Sequence, residues 1–126
     1  MHTMITLDKY FAELSRYRGD ELSAEDEELI GTAFDLGKKY HVGQKRANGA
    51  DYFEEHCIPV SYKVAQIHMP AEMIAAGLLH DTLEDTDLTK KQLLALCGED
   101  VCTMVDGVSK LSKIKYKGNE RHVESL

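Results

Sequence analysis

The sequence contains no tryptophan, and only two prolines and three cysteines among its 126 residues. The cysteines, Cys57, Cys97 and Cys102, are odd in number and form no CxxC pair, which argues against a disulfide framework and against a thiolate zinc site. We therefore expect buried, unpaired thiols. No apolar run approaches the roughly 18 residues that a membrane helix needs, and residues 1–11 lack the apolar stretch of a secretory signal. These absences predict a cytoplasmic protein with no membrane contact.

Positive charge is also scarce, with 15 lysines and arginines against 22 acidic residues and a formal net charge of −7. Nucleic-acid binding needs a basic footprint, so this balance argues against nucleic acid as a partner. It does not exclude a small anionic ligand, because local charge decides that. Lysines gather at Lys110, Lys113, Lys115 and Lys117, and they form either a solvated helix end or an edge that faces phosphate.

Apolar residues recur at helical spacing along most of the chain, and no segment shows the alternation of a strand. Helices are predicted over residues 5–18, Ser23 to about His41, near Phe53 or Pro59 to His68, Pro70 to about Leu83, Thr89 to Gly98, and about 99–114. Ser23 is a predicted N-cap, and Thr89 with Gln92 is a predicted capping box. With 43% hydrophobic residues, the chain is expected to form an all-α bundle of about five to six helices.

The segment 75–85 places four ionisable side chains at the end of an otherwise apolar helix. At about 100° per residue, one side of that predicted helix carries His80, Asp81, Glu84 and Asp85. Gly77 falls on the same side, and we expect it to leave room beside the carboxylates. An imidazole next to a carboxylate suits manganese, iron or zinc better than calcium, and the two later carboxylates could move protons of a nucleophilic water. The alternative is a solvated acidic helix end with a partly buried histidine.

A metal site needs further ligands, and an anionic substrate needs cations nearby. His56 is the best additional ligand candidate, with His41 and His68 as alternatives, although each could be an ordinary surface or capping histidine. The loop of residues 44–49 supplies Lys45, Arg46 and two amides, and arginine can fork onto phosphate or stack on a purine. An ordinary polar turn is the alternative for this loop.

These segments, taken in order, resemble the hydrolase domain of the RelA/SpoT alarmone enzymes. The matching residues are His41-Val-Gly-Gln-Lys-Arg46, Tyr52, His56, Leu78-Leu-His80-Asp81-Thr-Leu-Glu84-Asp85-Thr86, Gly98 and Val108-Ser-Lys110-Leu-Ser-Lys113. The match runs from about Glu27 to Tyr116. A bare His-Asp dipeptide is a weak signal, whereas the whole ordered series is specific.

The resemblance implies an HD-domain helical bundle that binds Mn²⁺ and removes the 3′-pyrophosphate from the guanine nucleotides ppGpp or pppGpp, leaving GDP or GTP. It implies metal ligation by His56, His80 and Asp81, and handling of the nucleophilic water by Glu84 and Asp85. The arginine that matches Arg46 packs on the guanine base, and we expect Lys45 and Asn48 in the same loop to bind substrate. Two alternatives are an HD phosphohydrolase for another nucleotide, and a non-catalytic helical module that binds a nucleotide or a partner.

The sequence also departs from the family pattern. Ala47 stands where many relatives have a basic residue, Pro59 follows His56 by three residues instead of one, and one extra residue lies between Gly49 and His56. The family's fourth metal ligand, an aspartate on a later helix, would come after Leu126. Residues 1–126 are therefore expected to form one partial domain that hydrolyses ppGpp weakly or not at all. Apolar surface that later helices would cover is expected to favour a homodimer.

Overall fold

A computed structural model describes the backbone of residues 4–118 and the side chains of residues 4–109, so the four lysine side chains near the end lie outside it. The six longer helices are α1 (Leu7–Arg18), α2 (Ala24–Tyr40), α3 (Ile58–Gln66), α4 (Ala71–Leu79), α6 (Lys90–Cys97) and α7 (Glu99–Gly118), and a single turn, α5 (Thr82–Asp85), follows α4. Apart from one isolated antiparallel bridge between Lys45 and Asp51, residues 4–118 contain no β-structure. The prediction of an all-α bundle is confirmed.

The helices begin and end at local sequence signals. The side chains of Thr6 and Ser23 cap α1 and α2, each accepting a hydrogen bond from the backbone N–H three residues later. Thr89 and Gln92 form the predicted capping box at the start of α6. Gly19 ends α1 in a left-handed conformation, with φ of 86°, that glycine adopts without steric cost. These ends therefore depend on residues close together in the chain.

Two predicted helix ends are wrong. The helix that begins after Pro70 ends at Leu79 and not near Leu83, and residues 80–81 form a turn before α5. The Thr82 hydroxyl donates to the Leu79 carbonyl at 2.7 Å, which gives that carbonyl a partner outside the helical ladder. The last helix continues to Gly118 instead of ending near residue 114, because a helix can propagate where apolar periodicity has already stopped.

The apolar core surrounds α4, which is buried along most of its length and packs against α2, α3 and α7. The fully buried Tyr10 of α1 packs on Phe34 of α2 with ring centroids 4.9 Å apart. The Tyr10 hydroxyl donates to Ser61 Oγ of α3 at 2.8 Å. The three cysteines are buried and unpaired, as predicted. No helix within residues 4–118 is long and apolar enough to cross a membrane.

Two helical glycines near the central helix differ in how closely their neighbours approach. A Cβ added to Gly37 of α2 would lie 2.4 Å from Cε1 of Phe53, which is almost fully buried. A Cβ added to Gly77 of α4 would meet Cα of Ser61 at 3.4 Å. The expectation that Gly77 makes room beside the carboxylates is therefore wrong, because Gly77 faces α3, where a Cβ would make an ordinary van der Waals contact.

Candidate metal centre

Three side chains bring one donor atom each to a common point at the end of α4. His56 Nε2 lies 3.1 Å from His80 Nε2 and 3.1 Å from Asp81 Oδ2. His80 Nε2 lies 3.0 Å from the same Asp81 oxygen. Among the side chains that the structure describes, this is the group of histidine, cysteine and acidic donors close enough to share a metal ion. The residues predicted as metal ligands are thus brought together.

The donor set fits a divalent transition-metal ion. Bonds of about 2.1 Å to one ion place neighbouring donors at right angles about 3.0 Å apart, which is the separation of these three atoms. Two imidazole nitrogens and a carboxylate oxygen also suit manganese, iron or zinc better than calcium. Spacing and donor chemistry therefore agree.

Hydrogen bonds hold the donors in place. His80 Nδ1 donates to the Gly77 carbonyl at 2.7 Å, which leaves the Nε2 lone pair facing the common point. The Tyr52 hydroxyl donates to Asp81 Oδ2 at 2.5 Å. Burial opposes the charged form of Asp81, but the close His56 and His80 rings and the hydrogen bond from Tyr52 hold the pKa of this carboxyl well below its usual range. Asp81 is therefore an anion at neutral pH, as metal ligation requires.

A π-helical turn, Phe53–Cys57, carries His56 and leads directly into α3. Its closing hydrogen bond runs from the Ile58 N–H to the Phe53 carbonyl, five residues back in the chain. A π-helical turn accommodates one residue more than an α-helical turn, and such turns are frequent at functional sites. Such a turn would accommodate the one extra residue that the sequence pattern indicates before His56. The His56 and His80 rings still meet, with centroids 5.0 Å apart.

The short helix α5 carries Glu84 and Asp85, whose side chains are both exposed. Partial burial, together with the charges of Asp81 and Glu84, raises the pKa of Asp85. Glu84 and Asp85 therefore follow Asp81 of the metal-binding cluster (His56, His80 and Asp81) closely in sequence. Their carboxylates remain open to solvent and to a substrate.

The loop of residues 44–49, before the π-helical turn, contacts both α5 and the turn that carries His56. Gln44 Nε2 donates to the Asp85 carbonyl oxygen at 2.8 Å, and Arg46 Nη1 donates to the Glu55 carbonyl oxygen, directly before His56, at 3.1 Å. The side chains of Lys45, Arg46 and Asn48 are exposed. Asn48 Oδ1 accepts from the Ala50 N–H at 2.9 Å, so this amide oxygen shapes its own turn.

The structure also assigns residues that sequence reasoning missed or left open. Tyr52 belongs to the sequence motif without a predicted role of its own, although its position four residues before His56 places both on one helix face. His41, an alternative ligand candidate, is fully buried with its ring centroid 5.0 Å from that of Tyr52, and it lies outside the donor cluster. His68 is exposed after α3 with φ of 57°, and it is not part of the cluster either.

The fold and the site together define an all-α domain with a candidate metal centre at the end of its central helix. Residues 33–125 match the family HD_4, described as an HD domain. The chain belongs to the HD domain family, and HD domains are metal-dependent hydrolases.

Several named proteins are similar to most of this chain. A guanosine-3′,5′-bis(diphosphate) 3′-pyrophosphohydrolase of Aquifex aeolicus is 44% identical over 74% of the chain, and one of Haemophilus influenzae is 42% identical over 72%. A GTP pyrophosphokinase of Streptomyces coelicolor is 38% identical over 79%. The resemblance to RelA/SpoT enzymes is thereby confirmed. The chain spans only 13%, 13% and 12% of the lengths of these relatives.

Proposed function

We propose that this HD domain removes the 3′-pyrophosphate of ppGpp or pppGpp in a reaction that depends on Mn²⁺. The observation that carries the proposal is the convergence of His56, His80 and Asp81 beside the accessible carboxylates of α5. The names of two similar proteins support the substrate. The oxygen of a water molecule forms a bond to the phosphorus attached to the ribose 3′ oxygen, and the bond between that phosphorus and the 3′ oxygen breaks. The 3′ oxygen takes up a proton, and the products are pyrophosphate and GDP or GTP. We propose the cytoplasm as the location of this activity.

The chain supplies ligands, a proton acceptor and cations for this reaction. A divalent ion held by His56, His80 and Asp81 supplies Lewis acidity, which lowers the pKa of a water molecule and polarises phosphoryl oxygens. Glu84 and Asp85 accept the proton of the attacking water, and the raised pKa of Asp85 suits this role.

The negatively charged nucleotide needs positively charged side chains near the site, because an acidic site repels a polyphosphate unless cations offset it. The exposed side chains of Lys45 and Arg46 supply two positive charges on the loop that contacts α5. We propose that Arg46 packs on the guanine base, since a guanidinium is planar and stacks on aromatic rings. Asn48 completes the substrate-binding loop in this proposal.

The test is release of pyrophosphate from ppGpp with Mn²⁺, comparing the wild-type chain with His80→Ala, Glu84→Gln and Asp87→Asn under identical conditions. Loss of a ligand or of a proton acceptor should lower turnover by about 100-fold or more. Asp87, an exposed carboxylate between α5 and α6, is the matched control and should be replaceable without effect. Nucleotide binding without turnover would instead indicate a non-catalytic module. Turnover of other nucleotides alone would indicate a different phosphohydrolase.

A further inference from the structure

Gln44 connects the loop to both halves of the candidate site, and each of its polar atoms has a partner. Its backbone N–H donates to the His41 carbonyl at 3.0 Å, and its carbonyl accepts from the Tyr52 N–H at 3.0 Å. In its side chain, Nε2 donates to the Asp85 carbonyl at 2.8 Å, and Oε1 lies 2.5 Å from His41 Nδ1. One residue therefore joins the start of the π-helical turn to α5.

The Asp85 carbonyl determines how the Gln44 amide is oriented. A carbonyl oxygen can only accept, so the amide nitrogen faces Asp85 and the amide oxygen faces His41. His41 Nδ1 must then carry a proton and donate it. The His41 ring is fully buried, with its centroid 5.0 Å from that of Tyr52 and 6.5 Å from that of Phe53, so this donor is firmly held.

The helix that Gln44 contacts is only four residues long, and Asp85 is its last residue. Carbonyl groups in the final turn of a helix lack partners within that helix. The chain also leaves α5 at once, because Thr86 is extended, with φ of −136° and ψ of 177°. So short a helix has little intrinsic stability, and its orientation depends on contacts from outside. The amide of Gln44 is such a contact.

We propose that Gln44 is a positioning residue that, held by His41, fixes α5 relative to the metal-binding cluster. This inference rests on the proposed hydrolase function, since it concerns how Glu84 and Asp85 are aimed at the attacking water. Lys45 and Arg46 directly follow Gln44 in the chain. Gln44 therefore links the loop that carries these two cations to the helix that carries the proton acceptors.

Two substitutions distinguish the hydrogen bond of Gln44 to Asp85 from its hydrogen bond to His41. Gln44→Met keeps the length of the side chain and removes both hydrogen bonds, whereas Gln44→Glu keeps the acceptor for His41 and turns a carboxylate oxygen toward the Asp85 carbonyl. Both should lower kcat for pyrophosphate release about 10-fold to 100-fold, because small displacements of reacting groups are costly. KM and Mn²⁺ affinity should change less than about 3-fold, since the lost contact acts on the transition state. Gln66→Met, at the exposed end of α3, is the control and should change neither constant.

Amide hydrogen exchange tests the same inference without turnover. In the Mn²⁺-loaded protein, residues 82–86 should exchange about 3-fold to 10-fold faster in Gln44→Met than in the wild type or in Gln66→Met. Unchanged exchange there, or a rise in KM with unchanged kcat, would overturn the positioning role. If the wild type releases no pyrophosphate, the proposed function fails. The exchange comparison still decides whether Gln44 holds α5.

Discussion

Gly37 lies where α2 meets the π-helical turn, and replacing it by alanine tests how closely these segments pack. A Cβ there would lie 2.4 Å from Phe53 Cε1, 3.0 Å from Phe53 Cδ1 and 3.3 Å from the Leu78 carbonyl oxygen. The Phe53 ring cannot withdraw freely, because it is 2% exposed and packs edge-on against Phe34 with centroids 5.3 Å apart. Gly37→Ala must therefore displace the ring or the helix.

Gly31, earlier in the same helix, provides the matched comparison. A Cβ there would lie 3.7 Å from Leu7 Cδ2 and 3.8 Å from Phe11 Cζ, which are ordinary contacts. Alanine in place of glycine gains about 1 kcal/mol of helix propensity at either position. Only Gly37→Ala adds an overpacking cost of about 1–3 kcal/mol. Since the propensity gain cancels, the free energies of unfolding of the two variants should differ by about 1–3 kcal/mol.

Thermal unfolding followed by circular dichroism measures this difference. We expect Gly31→Ala to melt above the wild type, and Gly37→Ala to melt at least about 4 °C below Gly31→Ala. Because Phe53 and His56 share the π-helical turn, Gly37→Ala should also weaken Mn²⁺ binding in calorimetric titration, and Gly31→Ala should not. Equal melting temperatures for the two variants would refute the close approach of α2 and Phe53.

Two further predictions concern the metal-binding cluster and the core. Asp81→Asn should abolish the rise in melting temperature that Mn²⁺ gives the wild type, a stabilisation of about 2.7 kcal/mol at 100 times Kd, whereas Asp87→Asn should keep it. An undiminished rise in Asp81→Asn would contradict the proposed ligand set. Ser61→Ala leaves the buried Tyr10 hydroxyl without its acceptor and should destabilise the fold by about 1–3 kcal/mol in urea unfolding. Adding Tyr10→Phe should recover part of that loss, and strictly additive losses would argue against the bond.

The amino-acid sequence by itself determined the features that depend on neighbouring residues. The all-α class follows from apolar spacing, and the caps at Ser23 and Thr89 follow from hydrogen bonds that span three residues. His80 and Asp81 were recognisable as candidate ligands because adjacent donors of mixed type end an apolar helix. The ordered motifs carried the family resemblance. All of these signals can be read within short segments.

Only the tertiary structure decided what depends on segments far apart in the chain. His56 meets His80 because a π-helical turn, which helical periodicity does not reveal, packs beside the end of α4. That helix stops at Leu79 because side-chain hydrogen bonds to its last carbonyls compete with the helical ladder. Gln44 donates to Asp85 although the two residues are 41 positions apart in the sequence. The polar loop around Gln44 and the helical segment around Asp85 can each be recognised without this contact. Such contacts arise from packing between elements, so no local spacing of residues encodes them.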